Sequence, residues 1–143
     1  MNGISSLAPV QVMNKSIQHP VVLVVEDQPA IQDMLSWWLH LQGYQPACTA
    51  NGQEALKWME QTLYTQRYPQ AILLDLFMPV MDGRQFLATL RARRALPLPM
   101  PPIILLTVER SNQDDLACNS VLVKPFHLQD LGECLRQAIK KCS

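Results

Sequence analysis

Val21-Val22-Leu23-Val24-Val25-Glu26-Asp27-Gln28-Pro29 is the stretch of sequence that decides the fold. Its first five residues are apolar and mostly β-branched, which is typical of a strand buried on both faces of a parallel sheet. The strand stops at the acidic pair Glu26-Asp27, and Pro29 stands where the first turn of a helix tolerates proline. The stretch therefore predicts a buried strand, an acidic loop and a helix, in that order.

This strand-and-helix unit recurs along the chain. Short apolar runs predict further strands, and apolar residues at helical spacing predict further helices. Alternating strands and helices indicate one α/β domain with a parallel sheet, right-handed connections and ligands beyond the carboxyl ends of the strands. We predict strands at residues 21–25, 45–50, 71–74, 103–106 and 121–123, and helices over 29–42, 53–62, from about 83, and over 128–141.

The apolar positions of each helix predict which face is buried. Of the adjacent Trp37 and Trp38, we expect one to face the core and the other to be more exposed. The predicted inward residues are Ile31, Leu35, Trp38 and Leu41 in the first helix, Ala55, Leu56 and Met59 in the second, Phe86, Leu87 and Leu90 in the third, and Leu131, Leu135, Ala138 and Ile139 in the last.

Composition excludes several classes of protein. Lys plus Arg and Asp plus Glu number 12 each, so the basic field that nucleic-acid binding usually needs is missing. The apolar runs are too short to span a membrane, and the four cysteines lack metal or redox spacing. We expect a cytoplasmic protein with reduced thiols, no membrane contact and no direct nucleic-acid binding, made of a flexible tail (residues 1–20) and one domain (21–143).

Polar residues end four of the predicted strands. They are Glu26-Asp27 after the first strand, Asp75 after the third, Thr107 after the fourth and Lys124 after the fifth. Because the carboxyl ends of parallel strands share one edge of a sheet, we expect these side chains to converge. They are the candidate functional site.

These side chains suit phosphoryl transfer. Three carboxylates held together repel one another unless a cation neutralises them, and Mg²⁺ prefers oxygen ligands of this kind. Asp75 is then a nucleophile able to form an acyl phosphate, with Lys124 and Thr107 stabilising charge on the phosphoryl oxygens. Two structural alternatives stay open at this point, because Asp27 and Asp82 each precede a predicted helix and could simply cap it.

Taken together, the motifs resemble the signature of response regulator receiver domains over about residues 21–141. The resemblance is carried by Glu26-Asp27, by Asp75 with Met78-Pro79-Val80-Met81-Asp82-Gly83, by Thr107 and by Lys124-Pro125-Phe126. It implies a doubly wound, flavodoxin-like fold in which helices flank a five-stranded parallel sheet of strand order 2-1-3-4-5.

The resemblance also implies a role for each site residue. Asp75 would be the phosphoacceptor, with Mg²⁺ (or Mn²⁺) bound by Asp27 and Asp75, by Glu26 through water, and by the backbone carbonyl of Phe77. Lys124 would pair with the phosphoryl oxygens, and the Lys124-Pro125 peptide bond would be cis. Thr107 would move to hydrogen-bond the phosphoryl group and so switch the surface beyond it.

Two departures from the family pattern concern the switch. Val121 occupies the place of an aromatic gate, which puts ring-rotation gating in doubt. Sixteen residues (108–123) separate Thr107 from Lys124, so the fourth helix is expected to be short or irregular, capped by Ser111 with Asp114. Phe77, two residues after Asp75, and Glu109, two residues after Thr107 and near the mouth of the site, are candidates for tuning the phosphoryl lifetime.

The function that follows is a stand-alone receiver, not an enzyme in the ordinary sense, which takes a phosphoryl group from a sensor histidine kinase or a histidine phosphotransfer protein. Output would pass through an unknown protein partner, dimerisation or onward transfer. A phosphatase of the haloacid dehalogenase type is disfavoured, because it requires a second Asp at the position of Phe77. A nucleotide- or flavin-binding domain is disfavoured, because it requires a phosphate-binding loop at the position of Glu26-Asp27. The main alternative is a degenerate receiver that binds partners without phosphorylation.

Overall fold

The computed structural model describes residues 19–93, 100–108 and 118–142, and within them it contains a five-stranded sheet and four helices. The predicted helix between the fourth and fifth strands, with Ser111 and Asp114, lies outside the described residues, as do Glu109 and most of the predicted tail. The strands are β1 (Val21–Val25), β2 (Gln45–Thr49), β3 (Ala71–Asp75), β4 (Ile103–Thr107) and β5 (Ser120–Val123). The helices are α1 (Pro29–Leu41), α2 (Gly52–Thr62), α3 (Gly83–Ala92) and α4 (Leu128–Cys142).

All neighbouring strands of the sheet are parallel, in the order β2-β1-β3-β4-β5. This confirms the predicted doubly wound topology. Strands β1, β3 and β4 are buried at every position, as their continuous apolar sequences predicted. Strand β5 is only half-buried, because it pairs on one side only and forms an edge of the sheet.

The sheet carries one apolar layer on each face, since successive strand residues point to opposite sides. Leu23, Ile72 and Leu105 pack with the buried residues of α2 and α3. On the other face, Val24 and Leu73 pack with those of α1 and α4. The two layers fix the strands, and therefore fix where the polar residues at the strand ends lie.

The buried faces of the helices agree with the predicted ones except at Leu41. Leu35 and Trp38 are buried, whereas Leu41 is 63% exposed and Leu39 takes the inward position. At 100° per residue, Leu41 points about 120° away from Leu35, outside the buried stripe. The same geometry explains why Trp37 is 61% exposed, which confirms that only one of the two tryptophans faces the core.

None of the described helices has both the length and the apolarity needed to cross a membrane. The cysteines whose side chains are described, Cys48, Cys118 and Cys134, are free thiols. Burial raises the pKa of the Cys48 and Cys118 thiols.

The two leucines of α1 provide a matched test of this packing. Leu35→Ala is expected to lower the free energy of unfolding by about 2–5 kcal/mol, because it leaves a cavity between α1 and the sheet. Leu41→Ala should change it by less than about 0.5 kcal/mol, because the side chain is largely in water. Urea denaturation of both variants measures the difference, and equal losses would contradict the placement of α1.

Candidate functional site

Three carboxylates meet at the carboxyl edge of the sheet. Glu26 and Asp27 follow β1, and Asp75 is the last residue of the neighbouring strand β3. One oxygen from each of the three carboxylates lies within 4.8 Å of the other two. Glu26 and Asp75 are buried and Asp27 is half-buried, so their repulsion is only weakly screened by water.

Lys124 brings a positive charge to this cluster from the far edge of the sheet. Its Nζ donates to Oε1 of Glu26 at 2.8 Å and to Oδ2 of Asp75 at 3.5 Å. The lysine side chain is 16% exposed and that of Glu26 is fully buried. The ammonium group therefore balances charge that water cannot reach at Glu26.

Backbone N–H groups orient the same carboxylates. Gln28 donates its N–H to Oε2 of Glu26, and Phe77 donates its N–H to Oδ1 of Asp75, both at 3.2 Å. Each bond comes from the residue two positions further along the chain. The loops after β1 and β3 therefore hold the two carboxylates in place.

The loop between β3 and α3 is tightly fixed beneath Asp75. Gly83 donates its N–H to the carbonyl of Leu76 at 2.9 Å. A Cβ atom at Gly83 would lie 2.6 Å from the carbonyl oxygen of Asp75, so only glycine fits without movement. Asp82 and Gln85 form a capping box at the start of α3.

The structure gives different answers to whether Asp27 and Asp82 simply cap helices. Asp82 caps α3, and its carboxylate is used in that bond. Asp27 does not cap α1, because the N-cap residue is Gln28 and no side-chain capping bond is formed there. Asp27 is therefore left as part of the acidic cluster.

The remaining predicted site residues differ in how deeply they are buried. Thr107 ends β4 as a buried residue, and its carbonyl accepts a hydrogen bond from the N–H of Lys124. The Lys124-Pro125 bond is cis, as the resemblance implied. Phe77 is 61% exposed in the loop after β3, and Val121 is half-buried in β5 opposite Leu105.

Sequence reasoning missed Gln32, which lies on α1 in the turn that follows the acidic loop. Its side-chain amide donates to the carbonyl oxygens of Glu26 and Thr49. The available signal was weak, because a polar residue on the sheet-facing side of a helix start is common. Only the structure shows which acceptors this amide reaches.

The donor set fits a hard divalent cation. Carboxylate oxygens are the ligands that Mg²⁺ takes from proteins, usually one or two of them with water and phosphate oxygens completing the shell. Three such oxygens converge here, and no thiol or imidazole belongs to the group. Softer metals such as Zn²⁺ would prefer nitrogen or sulfur ligands.

A family model described as the response regulator receiver domain matches residues 22–136. The chain belongs to this family. Receiver domains are the phosphoacceptor modules of two-component signal transduction, and they bind Mg²⁺ at their acidic phosphorylation site. Family membership confirms the resemblance drawn from the sequence, and it sets aside the phosphatase and nucleotide-binding alternatives.

Curated relatives agree with this assignment. The chain is 34% identical over 134 residues to the transcriptional regulatory protein PrrA of Mycobacterium tuberculosis, covering 90% of this chain and 54% of that protein. It is 30% identical over 124 residues to the regulatory protein AtoC of Escherichia coli, covering 83% of this chain and 25% of that protein. The chain thus spans about half, or less, of the length of these relatives.

Solved structures agree as well. The chemotaxis protein CheY4 of Vibrio cholerae superposes with a TM-score of 0.72 at 29% identity, covering 85% of this chain and 99% of that one. The response regulator TrrA of Thermotoga maritima, solved in complex with Mg²⁺ and BeF, gives 0.70 at 29% identity, covering 83% and 98%.

The buried ion pair predicts a large stability effect. Lys124→Met should lower the free energy of unfolding by about 3 kcal/mol in metal-free buffer, because it leaves the buried Glu26 carboxylate without its counter-charge. Arg93→Met is the matched control: it breaks the Arg93–Glu60 pair, of similar length at 2.7 Å but with both side chains 60% exposed. That loss should stay below about 1 kcal/mol.

Chemical denaturation at neutral pH with a chelator present measures both variants. A smaller loss for Lys124→Met than for Arg93→Met would show that Glu26 does not depend on the lysine.

Proposed function

We propose that this receiver accepts a phosphoryl group on Asp75 from a phosphohistidine of a sensor histidine kinase or a histidine phosphotransfer protein, in a Mg²⁺-dependent reaction that changes partner binding. The observation that carries the proposal is the position of Asp75. It ends β3 between two other carboxylates and the Lys124 ammonium, with one oxygen bonded to the Phe77 N–H.

The residues of the cluster divide the tasks of binding and reaction. Glu26, Asp27, Asp75 and the backbone carbonyl of Phe77 would hold Mg²⁺, and Mn²⁺ satisfies the same oxygen ligands. When bound, the metal supplies positive charge to the phosphoryl oxygens and offsets the repulsion among the carboxylates. The protein contribution is a fixed set of oxygens at one edge of the sheet.

Asp75 is the nucleophile in the transfer. A carboxylate oxygen forms a bond to phosphorus, the P–N bond of the phosphohistidine breaks, and its electron pair stays on the imidazole nitrogen, which takes up a proton. Lys124 attracts the equatorial oxygens of the phosphoryl group, and the Thr107 hydroxyl donates a hydrogen bond to it afterwards. The product is an acyl phosphate on Asp75.

Thr107 and Val121 are the proposed switch residues. They lie on adjacent strands, where Leu105 pairs with Val121 and Thr107 pairs with Val123. Movement of Thr107 toward the phosphoryl group would therefore alter the packing of the edge strand β5. A receiver of this kind works by shifting a two-state equilibrium that a protein partner, or a second copy of the chain, then reads.

Two finer points stay predictions. The curated relatives extend well beyond the part that matches. We propose that the receiver acts as a stand-alone module and that it is cytoplasmic. The alternative function is a degenerate receiver that binds partners without phosphorylation. The observation that favours it is Val121 at the place of the aromatic gate, whereas the complete set of Asp75, Lys124 and Thr107 favours phosphorylation.

Intact-mass analysis after incubation with acetyl phosphate and Mg²⁺ tests the acceptor. Wild-type protein should gain one phosphoryl group, and Asp75→Asn should gain none, because the amide is not a nucleophile. Asp82→Asn is the matched control, since it alters an acidic residue of the same loop while asparagine still caps α3. This control should gain the group as wild type does.

Omission of Mg²⁺ should abolish the adduct in every variant. An adduct that persists in Asp75→Asn would place the acceptor elsewhere. No adduct on folded wild-type protein would favour the degenerate receiver.

Phe77 should lengthen the life of the acyl phosphate. Phe77 lies two residues after the acceptor, its backbone N–H bonds Oδ1 of Asp75, and its side chain is 61% exposed. We propose that the ring limits the approach of water to the acyl phosphate. Phe77→Ala is expected to speed the decay of the phosphoryl adduct, followed by mass analysis after removal of the donor. Val80→Ala, which truncates another exposed residue of this loop, should leave the decay unchanged, and equal decay in Phe77→Ala and wild type would remove the role of the ring.

A further inference from the structure

We infer that Gln32 is a positioning residue for the metal site: its side-chain amide fixes the backbone of the acidic turn that carries Glu26 and Asp27. The inference rests on the proposed function, because it assigns to Gln32 an effect on Mg²⁺ affinity. It concerns a residue of α1 that does not itself belong to the carboxylate cluster.

The contacts of Gln32 are specific. Nε2 donates to the carbonyl oxygen of Glu26 at 2.5 Å and to that of Thr49 at 3.1 Å. A side-chain amide has two N–H donors, so both are used. The amide therefore joins the ends of two strands from a helix that lies on one face of the sheet.

These bonds begin where the sheet itself stops. The paired register of β1 and β2 ends at Val25 and Thr49, and one further backbone bond runs from the Glu26 N–H to the Thr49 carbonyl at 3.0 Å. Beyond that point the chain turns into α1, and the Glu26 carbonyl faces the Gln32 amide instead of a strand partner. Gln32 thus extends the fixed part of β1 by one residue, the residue that bears the buried carboxylate.

Each polar group of Glu26 therefore has its own hydrogen-bond partners. Its N–H bonds Thr49, its carbonyl accepts from Gln32, and its carboxylate accepts from Lys124 and the Gln28 N–H. Loss of the Gln32 amide would leave the backbone carbonyl of Glu26 without this hydrogen bond. The turn could then rotate, which would displace the carboxylates of Glu26 and Asp27 relative to Asp75.

A purely structural role makes a different prediction. If the hydrogen bonds of Gln32 only attach α1 to the sheet, loss of the amide lowers the stability of the whole domain. The affinity of the folded protein for Mg²⁺ then stays unchanged. If it positions the turn, metal affinity falls, since partners that orient metal ligands typically contribute about 10- to 100-fold to affinity.

The experiment is calorimetric titration of Mg²⁺ into unphosphorylated protein, with thermal unfolding measured alongside. Gln32→Met keeps the length of the side chain and removes both donors. We expect its Kd for Mg²⁺ to rise about 10-fold, and saturating Mg²⁺ to restore one phosphoryl adduct from acetyl phosphate. Gln61→Met, at an exposed glutamine of α2, is the matched control and should keep the wild-type Kd.

Gln32→Asn serves as a second variant if Gln32→Met does not fold. Its amide is one methylene shorter and cannot reach both carbonyls, so it should also raise the Kd. An unchanged Kd in a folded Gln32 variant, whatever its melting temperature, would overturn the inference while the proposed function stands. Wild-type protein that binds no Mg²⁺ would overturn both, whereas a missing adduct on protein that binds Mg²⁺ would count against the proposed function alone.

Discussion

The structure depends on the placement of like charges where water cannot separate them. Glu26 is fully buried, Asp75 is nearly so, and Asp27 completes the group within 4.8 Å. Carboxylates at this spacing repel strongly in a partly buried site, so the folded state needs a cation among them. Lys124 supplies one positive charge, which leaves the cluster net negative and receptive to a divalent ion.

The rest of the fold prevents the charges from relaxing apart. Strands β1 and β3 are anchored by apolar layers on both faces, so their ends cannot separate without opening the core. Gly83 brings the following loop to within contact of the Asp75 backbone, and the capping box of Asp82 fixes the start of α3. Repulsion held in place by packing can be relieved only by binding positive charge, which links the stability of this edge of the sheet to its chemistry.

Much of this was predictable from the sequence, because it follows from periodicity and strand ends. Continuous apolar runs identified β1, β3 and β4, and the rule for parallel sheets brought Glu26, Asp75 and Lys124 to one edge. The prediction failed at Leu41, where an i, i+3 spacing was followed past the true buried stripe. Strand β5 was placed at an edge by the implied strand order, and its half-burial follows from that position. The role of Gln32 could not be predicted, because it depends on two backbone carbonyls that only the folded chain brings within reach.

The unequal distances of Lys124 to its two partners bear on how the site works. The ammonium lies 2.8 Å from Glu26 but 3.5 Å from Asp75, so its stronger bond is with the carboxylate that is not the proposed acceptor. Asp75 is thereby less tightly engaged before transfer and keeps oxygen capacity for the phosphorus atom. On the proposed function, phosphorylation adds negative charge at Asp75 and shifts the balance of attraction on Lys124 toward it. Lys124 also donates its backbone N–H to the carbonyl of Thr107. A shift of the lysine backbone would therefore displace the end of β4, where this proposed switch residue lies.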